Sequence, residues 1–364
     1  MRLQTLVVLL TVLSLGLQAA NAQQTSPPVT YRLGYLGEDG YLTNRNTDSY
    51  ASGLAVGIST GGAILVTSDG TKEDLTSKLS PEDQLVWQLE SAIAINEFNQ
   101  IAGRGLFYNG SAWVNACYRL SVGDVGNSVI EPIFPTAGEV AVVVGGINSF
   151  GTVSCVTTGG STGADVILFG GPVGSGQQAI VLSGDYSANS QINDLNQITG
   201  GLLVSGIMKA YRYTPDTGLE TFEALASWKN QTFKSQGWAI NNYGDWVGHA
   251  AAVKTKSNSY NHAVRRSGLK LVDLGVLPGT TTSRAQSVNA AGVIVGSCDG
   301  RHGFVYFPTA ATTGTMYSVQ AVLGNLPAGV SALTPRHIND DGVICGEAQF
   351  SNTSVRGGFV LLPN

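Results

Sequence analysis

The chain has 364 residues, a net charge of −5 at neutral pH and only 12 % charged residues. That balance argues against a nucleic-acid binder, because neutralising phosphates needs a clustered cationic surface. Gly is abundant at 47 residues, and short apolar stretches are separated by Gly, Asn, Asp, Ser and Thr, so many short strands with tight turns are expected and long helices are not.

The N terminus carries Arg2, an apolar run from Leu6 to Leu17, and Ala20 and Ala22 in an A-x-A arrangement. This is the layout of a cleavable secretory signal over residues 1–22, cut after Ala22. The run is too short for an ordinary membrane span, and no later segment approaches the required roughly 20 apolar residues. A secreted or periplasmic mature chain, 23–364, is therefore expected.

One phrase then recurs along the chain: "AINEFNQIAG", "GINSFGTVSC", "QINDLNQITG", "AINNYGDWVG", "SVNAAGVIVG" and "HINDDGVICG". Its anchors are Asn96, Asn148, Asn193, Asn241, Asn289 and Asn339, and a seventh copy with a longer loop is placed at Asn44. Three residues after each clear anchor stands Asn99, Gly151, Asn196, Gly244, Gly292 or Gly342, the residue types that accept positive φ in a tight hairpin. The anchor itself can bond the backbone two residues on, so turn formation is its expected role.

A third strand follows each hairpin, as in "HGFVYF" (302–307), and then a fourth, as in "LKLVDLGVL" (269–277) or "MYSVQAVLG" (316–324). Four strands in about 49 residues match one propeller blade. The last unit lacks its fourth strand, and "VTYRLGYLG" (29–37) supplies it. The expected fold is all-β, a seven-bladed β-propeller of four-stranded blades forming one domain, closed by an N-terminal strand that completes the last blade.

These units resemble HAF repeats of bacterial extracellular proteins, in which A-x-x-IN-x-x-G-x-VVG precedes His-Ala-Phe and an outer strand ending in D-L-G. The third-strand motif stands here as His262-Ala263-Val264 and His302-Gly303-Phe304, and decays to Lys209-Ala210-Tyr211 and Gly357-Gly358-Phe359. "VDLGVLPG" (272–279) matches the outer strand. The resemblance implies an exported repeat protein and brings no established reaction.

Cys117, Cys155, Cys298 and Cys345 form no C-x-x-C motif and read as buried small residues on strands. Sequons at Asn109, Asn230 and Asn352 fall in expected loops. Protease, nucleophile-elbow, P-loop and calcium-loop signatures are missing, so no cofactor or metal is expected.

The first-to-second-strand hairpins are tight and define a plain face; the longer loops lie on the opposite one. There blades four to seven gather Lys229, Lys234, Lys254, Lys256, Arg284, Arg301, Arg336 and Arg356, with Trp228, Trp238 and Tyr260 nearby. Blades one to three place Glu38, Asp39, Asp48, Glu82, Asp83, Glu90 and Glu139 on that face, with Arg45. The expected ligand site is Trp228, Lys229, Lys254, Lys256, Tyr260, Arg284, Arg301 and Arg336, binding an anionic polysaccharide or an acidic protein surface. The leading expectation is a non-catalytic module for a cell-surface glycan or protein partner. One alternative is a polysaccharide lyase or glycoside hydrolase using His262, His302 or His337 with Tyr260 and Arg336. Another is a structural or adhesive scaffold.

Overall fold

The computed structural model describes residues 26–38, 41–45, 55–59, 61–67, 70–123, 126–135, 141–158, 164–184, 186–225, 234–252, 260–268, 270–351 and 355–364. The expected signal segment lies outside them. Among the described residues no helix is long and apolar enough to cross a membrane.

Seven four-stranded antiparallel sheets make the seven blades. Six follow chain order from inner to outer strand. The seventh runs Val330–Ile338, Ile344–Phe350, Arg356–Pro363 and then Tyr31–Glu38, so the N-terminal strand closes the ring as the outer strand of the last blade. Tyr31 sits opposite Pro363, which leaves that edge paired.

A single sheet cannot bury both faces, and the apolar residues partition accordingly. Seven buried clusters each lie between two neighbouring blades, such as Leu89 and Tyr118 of blade two against Val56 and Leu65 of blade one. All four cysteines are buried on strands.

Each hairpin turn adopts the geometry that its residues favour. Asn99, Gly151, Asn196, Gly244, Gly292 and Gly342 all have positive φ, between 55° and 80°. The anchor oxygen accepts from the backbone N–H groups two and four residues on, as in Asn241 with Tyr243 and Asp245, both at 3.1 Å.

The glycine that ends the phrase has a separate cause. The inner strand carries a bulge three residues before the anchor, at Trp238, Gln286 and Arg336 in blades five to seven. There its backbone is pushed against the second strand. A Cβ on Gly248, Gly296 or Gly346 would stand 1.9–2.2 Å from a carbonyl oxygen of the inner strand.

Two expectations are corrected. Leu42 pairs with Gly57 and Asn44 with Val56, the registers held in blade six by Ala285 with Gly296 and Ser287 with Val295. Asn44 is thus a strand residue equivalent to Ser287, and the position equivalent to Asn289 is 46, also Asn and outside the described residues. The fourth strand expected over 316–324 instead ends at Ser318, whose side chain accepts from the Ala321 N–H and caps a short helix, Val319–Leu323. Val319 and Val322 turn inward there and fill the core between the last two blades.

Candidate functional site: the hairpin face

The anchor asparagines do more than shape turns. Asn96 Nδ2 donates to the Asn148 carbonyl oxygen at 2.9 Å, and the same bond runs from Asn148 to Asn193, Asn193 to Asn241, Asn241 to Asn289 and Asn289 to Asn339. All six are at most 6 % exposed. One residue type at one repeat position therefore makes a belt around the central channel, using its oxygen within a blade and its nitrogen between blades.

A second set of bonds lies above the belt, one residue on. Asp194 Oδ1 accepts from the Ser149 N–H at 2.8 Å, its Oδ2 accepts from Asn242 Nδ2 at 2.6 Å, and Asp340 Oδ1 accepts from the Ala290 N–H at 2.8 Å. Arginines on third strands hold the turns from beneath. Arg119 reaches the Gly151 carbonyl at 2.9 Å and Arg212 that of Gly244 at 3.0 Å. The face is a rigid platform.

Within this platform the channel opens as a depression of about 340 Å³, rimmed by Glu97, Asp194, Asn242 and Asp340. Ser287 and His337 line its floor, with Ser287 Oγ 3.2 Å from His337 Nδ1. Burial pushes the imidazole down to about 4, so it is neutral at physiological pH. No carboxylate bonds to that ring among the described residues, and Ser287 Oγ also accepts from the Ile338 N–H at 3.3 Å. The pair therefore lacks the orienting third group of a nucleophilic triad.

Around the depression, the residue two after each anchor projects from the turn. In four successive blades it is a large apolar side chain: Phe98, Phe150, Leu195 and Tyr243, exposed by 68, 72, 59 and 77 %. In blades six and seven the same position holds Ala291 and Asp341. These tips were expected to be plain. Their signal is legible in N-x-F, N-x-L and N-x-Y, an apolar residue where a solvated turn calls for a polar one.

No family model matches the chain, and no curated protein matches it. Solved structures resemble it in fold. A puromycin-hydrolyzing peptidase of Mycobacterium tuberculosis superposes with a TM-score of 0.50 at 14 % identity, over 86 % of this chain and 49 % of that one. This chain thus spans about half the length of that peptidase. The β-propeller domain of the Trilobed protease from Pyrococcus furiosus gives 0.45 at 10 % identity, covering 88 % and 93 %. TolB from Acinetobacter baumannii gives 0.42 at 8 %, covering 88 % and 78 %.

Of the residues expected on the opposite face, Trp228, Lys229, Lys254 and Lys256 lie outside the described residues, as do Asn230, Asn352, Asp39, Asp48 and Glu139. Arg284 and Arg336 line one pocket of about 400 Å³ together with Gln286, Ser297 and Asp299. Arg336 also bonds Glu347 Oε2 at 3.0 Å, while Arg301 is exposed in a turn and Tyr260 is half-buried at the start of a third strand. Trp238 Nε1 donates to His249 Nδ1 at 3.1 Å beside this pocket.

The three histidines considered for catalysis are separated. His262 Nδ1 lies 3.0 Å from Asp273 within blade five, His302 lines a groove with Pro278 and Ser318, and His337 sits in the channel. Among the described residues no cluster of three metal-ligating side chains occurs. The exposed Asn109 occupies a turn in which its Oδ1 accepts from the Ser111 and Ala112 N–H groups.

Proposed function

We propose that this protein is an exported, non-catalytic propeller of the HAF-repeat kind that binds a partner protein over its hairpin face. The supporting observation is the arc of Phe98, Phe150, Leu195 and Tyr243 on four adjacent turns. Large apolar side chains held in water gain free energy when a partner covers them, and exposed apolar clusters on adjacent turns mark interaction surfaces. A glycan is the weaker occupant. Sugar stacking uses flat rings flanked by hydrogen-bonding groups, whereas Leu195 offers no ring and Phe98 and Phe150 no polar edge.

A lyase or hydrolase needs its base, donor and cation around one substrate atom. The separate surroundings of His262, His302 and His337 weigh against that reading. The pocket shared by Arg284 and Arg336 favours a second, anionic ligand on the opposite face.

The test is binding of the labelled mature protein to cells of the producing organism, compared with a Phe98→Ser/Phe150→Ser/Tyr243→Ser variant. Loss of binding in the variant, and after protease treatment of the cells, supports the reading. Binding kept by the variant but lost after periodate oxidation of the cell surface replaces it with a glycan site elsewhere.

A further inference from the structure

The charge of the hairpin face selects among protein partners. The six clear turns, 96–100, 148–152, 193–197, 241–245, 289–293 and 339–343, contain Glu97, Asp194, Asp245, Asp340 and Asp341 and no Lys or Arg. Asp245 is consumed by Arg265 at 2.6 Å. The partners of Asp194 and Asp340 are backbone N–H groups and the Asn242 amide, all uncharged, so their negative charge is not cancelled locally. Asp340 and Asp341 are exposed. The arginines that reach these turns from beneath are each paired with a carboxylate: Arg119 with Glu131, Arg212 with Glu220, and Arg265 with Asp245.

We propose that the hairpin face seats a basic, apolar-flanked segment of a partner protein, with a Lys or Arg side chain entering the depression between Glu97, Asp194 and Asp340 while its neighbours cover the arc from Phe98 to Tyr243. This rests on the hairpin face being the binding surface. The two features divide the work. The arc supplies buried apolar area, and the rim supplies carboxylates that a cation reaches while its aliphatic stem lies along the Phe150 and Leu195 side. A depression of about 340 Å³ admits one long side chain rather than a folded loop. An acidic segment would bring like charge onto an uncompensated rim, which costs affinity and slows encounter.

The probes are three amidated, acetylated hexapeptides, alternating Leu with Lys, Glu or Gln, titrated against the full mature protein by fluorescence anisotropy. The Lys peptide is expected to bind at least tenfold tighter than the Gln peptide, with the Glu peptide weakest. A Glu97→Gln/Asp340→Asn/Asp341→Asn variant keeps the acceptor to Ala290 and is expected to lose that preference at unchanged Tm. Phe98→Ser/Phe150→Ser/Tyr243→Ser is expected to weaken all three peptides. Equal binding of the Lys and Gln peptides, or a preference of the charge variant for Lys equal to that of the parent, overturns the basic partner. If cell binding is still lost in the arc variant, the docking face survives that failure; if neither peptides nor cells depend on the arc, both readings fall.

Discussion

Asn241 Nδ2 donates to the main-chain oxygen of Asn289 at 3.1 Å, so one side chain that closes its own turn also ties blade five to blade six. Asn241→Ala removes the acceptor of two turn N–H groups and one of the two donors to the Asn289 carbonyl, which keeps the Gly292 N–H at 2.9 Å. It is expected to cost about 3 kcal/mol. Asn241→Asp keeps the acceptor oxygen but faces the Asn289 carbonyl with a second oxygen. Denaturant unfolding should show Asp no better than Ala; an Asp variant near the parent would assign the anchor to the turn alone.

That distinction marks how far the sequence was legible. Turn chemistry is local, so Asn followed three residues later by Gly or Asn revealed six hairpins and, through their spacing, the ring. The donor half of the same asparagines acts on residues 45 to 52 positions away, which no short pattern displays. Asn44 misled for a related reason. In blade one more residues separate the first and second strands and no Gly or Asn stands three residues after 44 or 46, so only the bulge register marks 46 as the equivalent position. The site was sought among long loops and charges, while the arc of Phe98, Phe150, Leu195 and Tyr243 lay in turns already assigned a structural role. Arg284 and Arg336, grouped by face from the sequence, line one pocket, but the Arg336 contact with Glu347 is set by strand pairing that charge counting does not reach.

The glycine closing the repeat phrase yields a sharp contrast. Gly296→Ala would set its Cβ 2.0 Å from the Arg284 carbonyl and 2.8 Å from the Phe304 ring, between two elements that cannot both move. A loss of more than about 3 kcal/mol is expected. Gly300→Ala, at φ +74° with open space around it, should cost only about 1 kcal/mol through backbone strain. Similar urea midpoints for the two variants would contradict the close approach of the inner and second strands.

Arg119 is fully buried and spends its guanidinium on Glu131 at 2.7 Å and on the carbonyls of Gly151, Gly171 and Pro172. Arg119→Met leaves the Glu131 carboxylate with the Gly176 N–H at 2.9 Å and no cation. Breaking a buried pair from one side is expected to cost about 3–5 kcal/mol. Adding Glu131→Gln should recover part of that loss. A double variant as unstable as the sum of the single changes would show that the carbonyl contacts, and not the ion pair, carry the interaction.

His249 and His337 link stability to pH. Burial, aided at His249 by the Arg284 charge, pushes that imidazole down to about 4, and burial alone does the same at His337. Folded-state values below the unfolded value of about 6.5 mean that, between pH 6.5 and 4, the unfolded chain binds protons that the folded chain refuses. Stability therefore falls as pH is lowered through this window and is flat above it with respect to these groups. The slope approaches about 1.4 kcal/mol per pH unit for each imidazole. Trp238 supports the sign, because its indole N–H needs the unprotonated Nδ1 of His249 as acceptor. Urea midpoints at pH 7.5, 6 and 5 should drop in the parent and drop less in a His249→Gln/His337→Gln variant. Parallel profiles in the two proteins would place the acid sensitivity on the carboxylates instead.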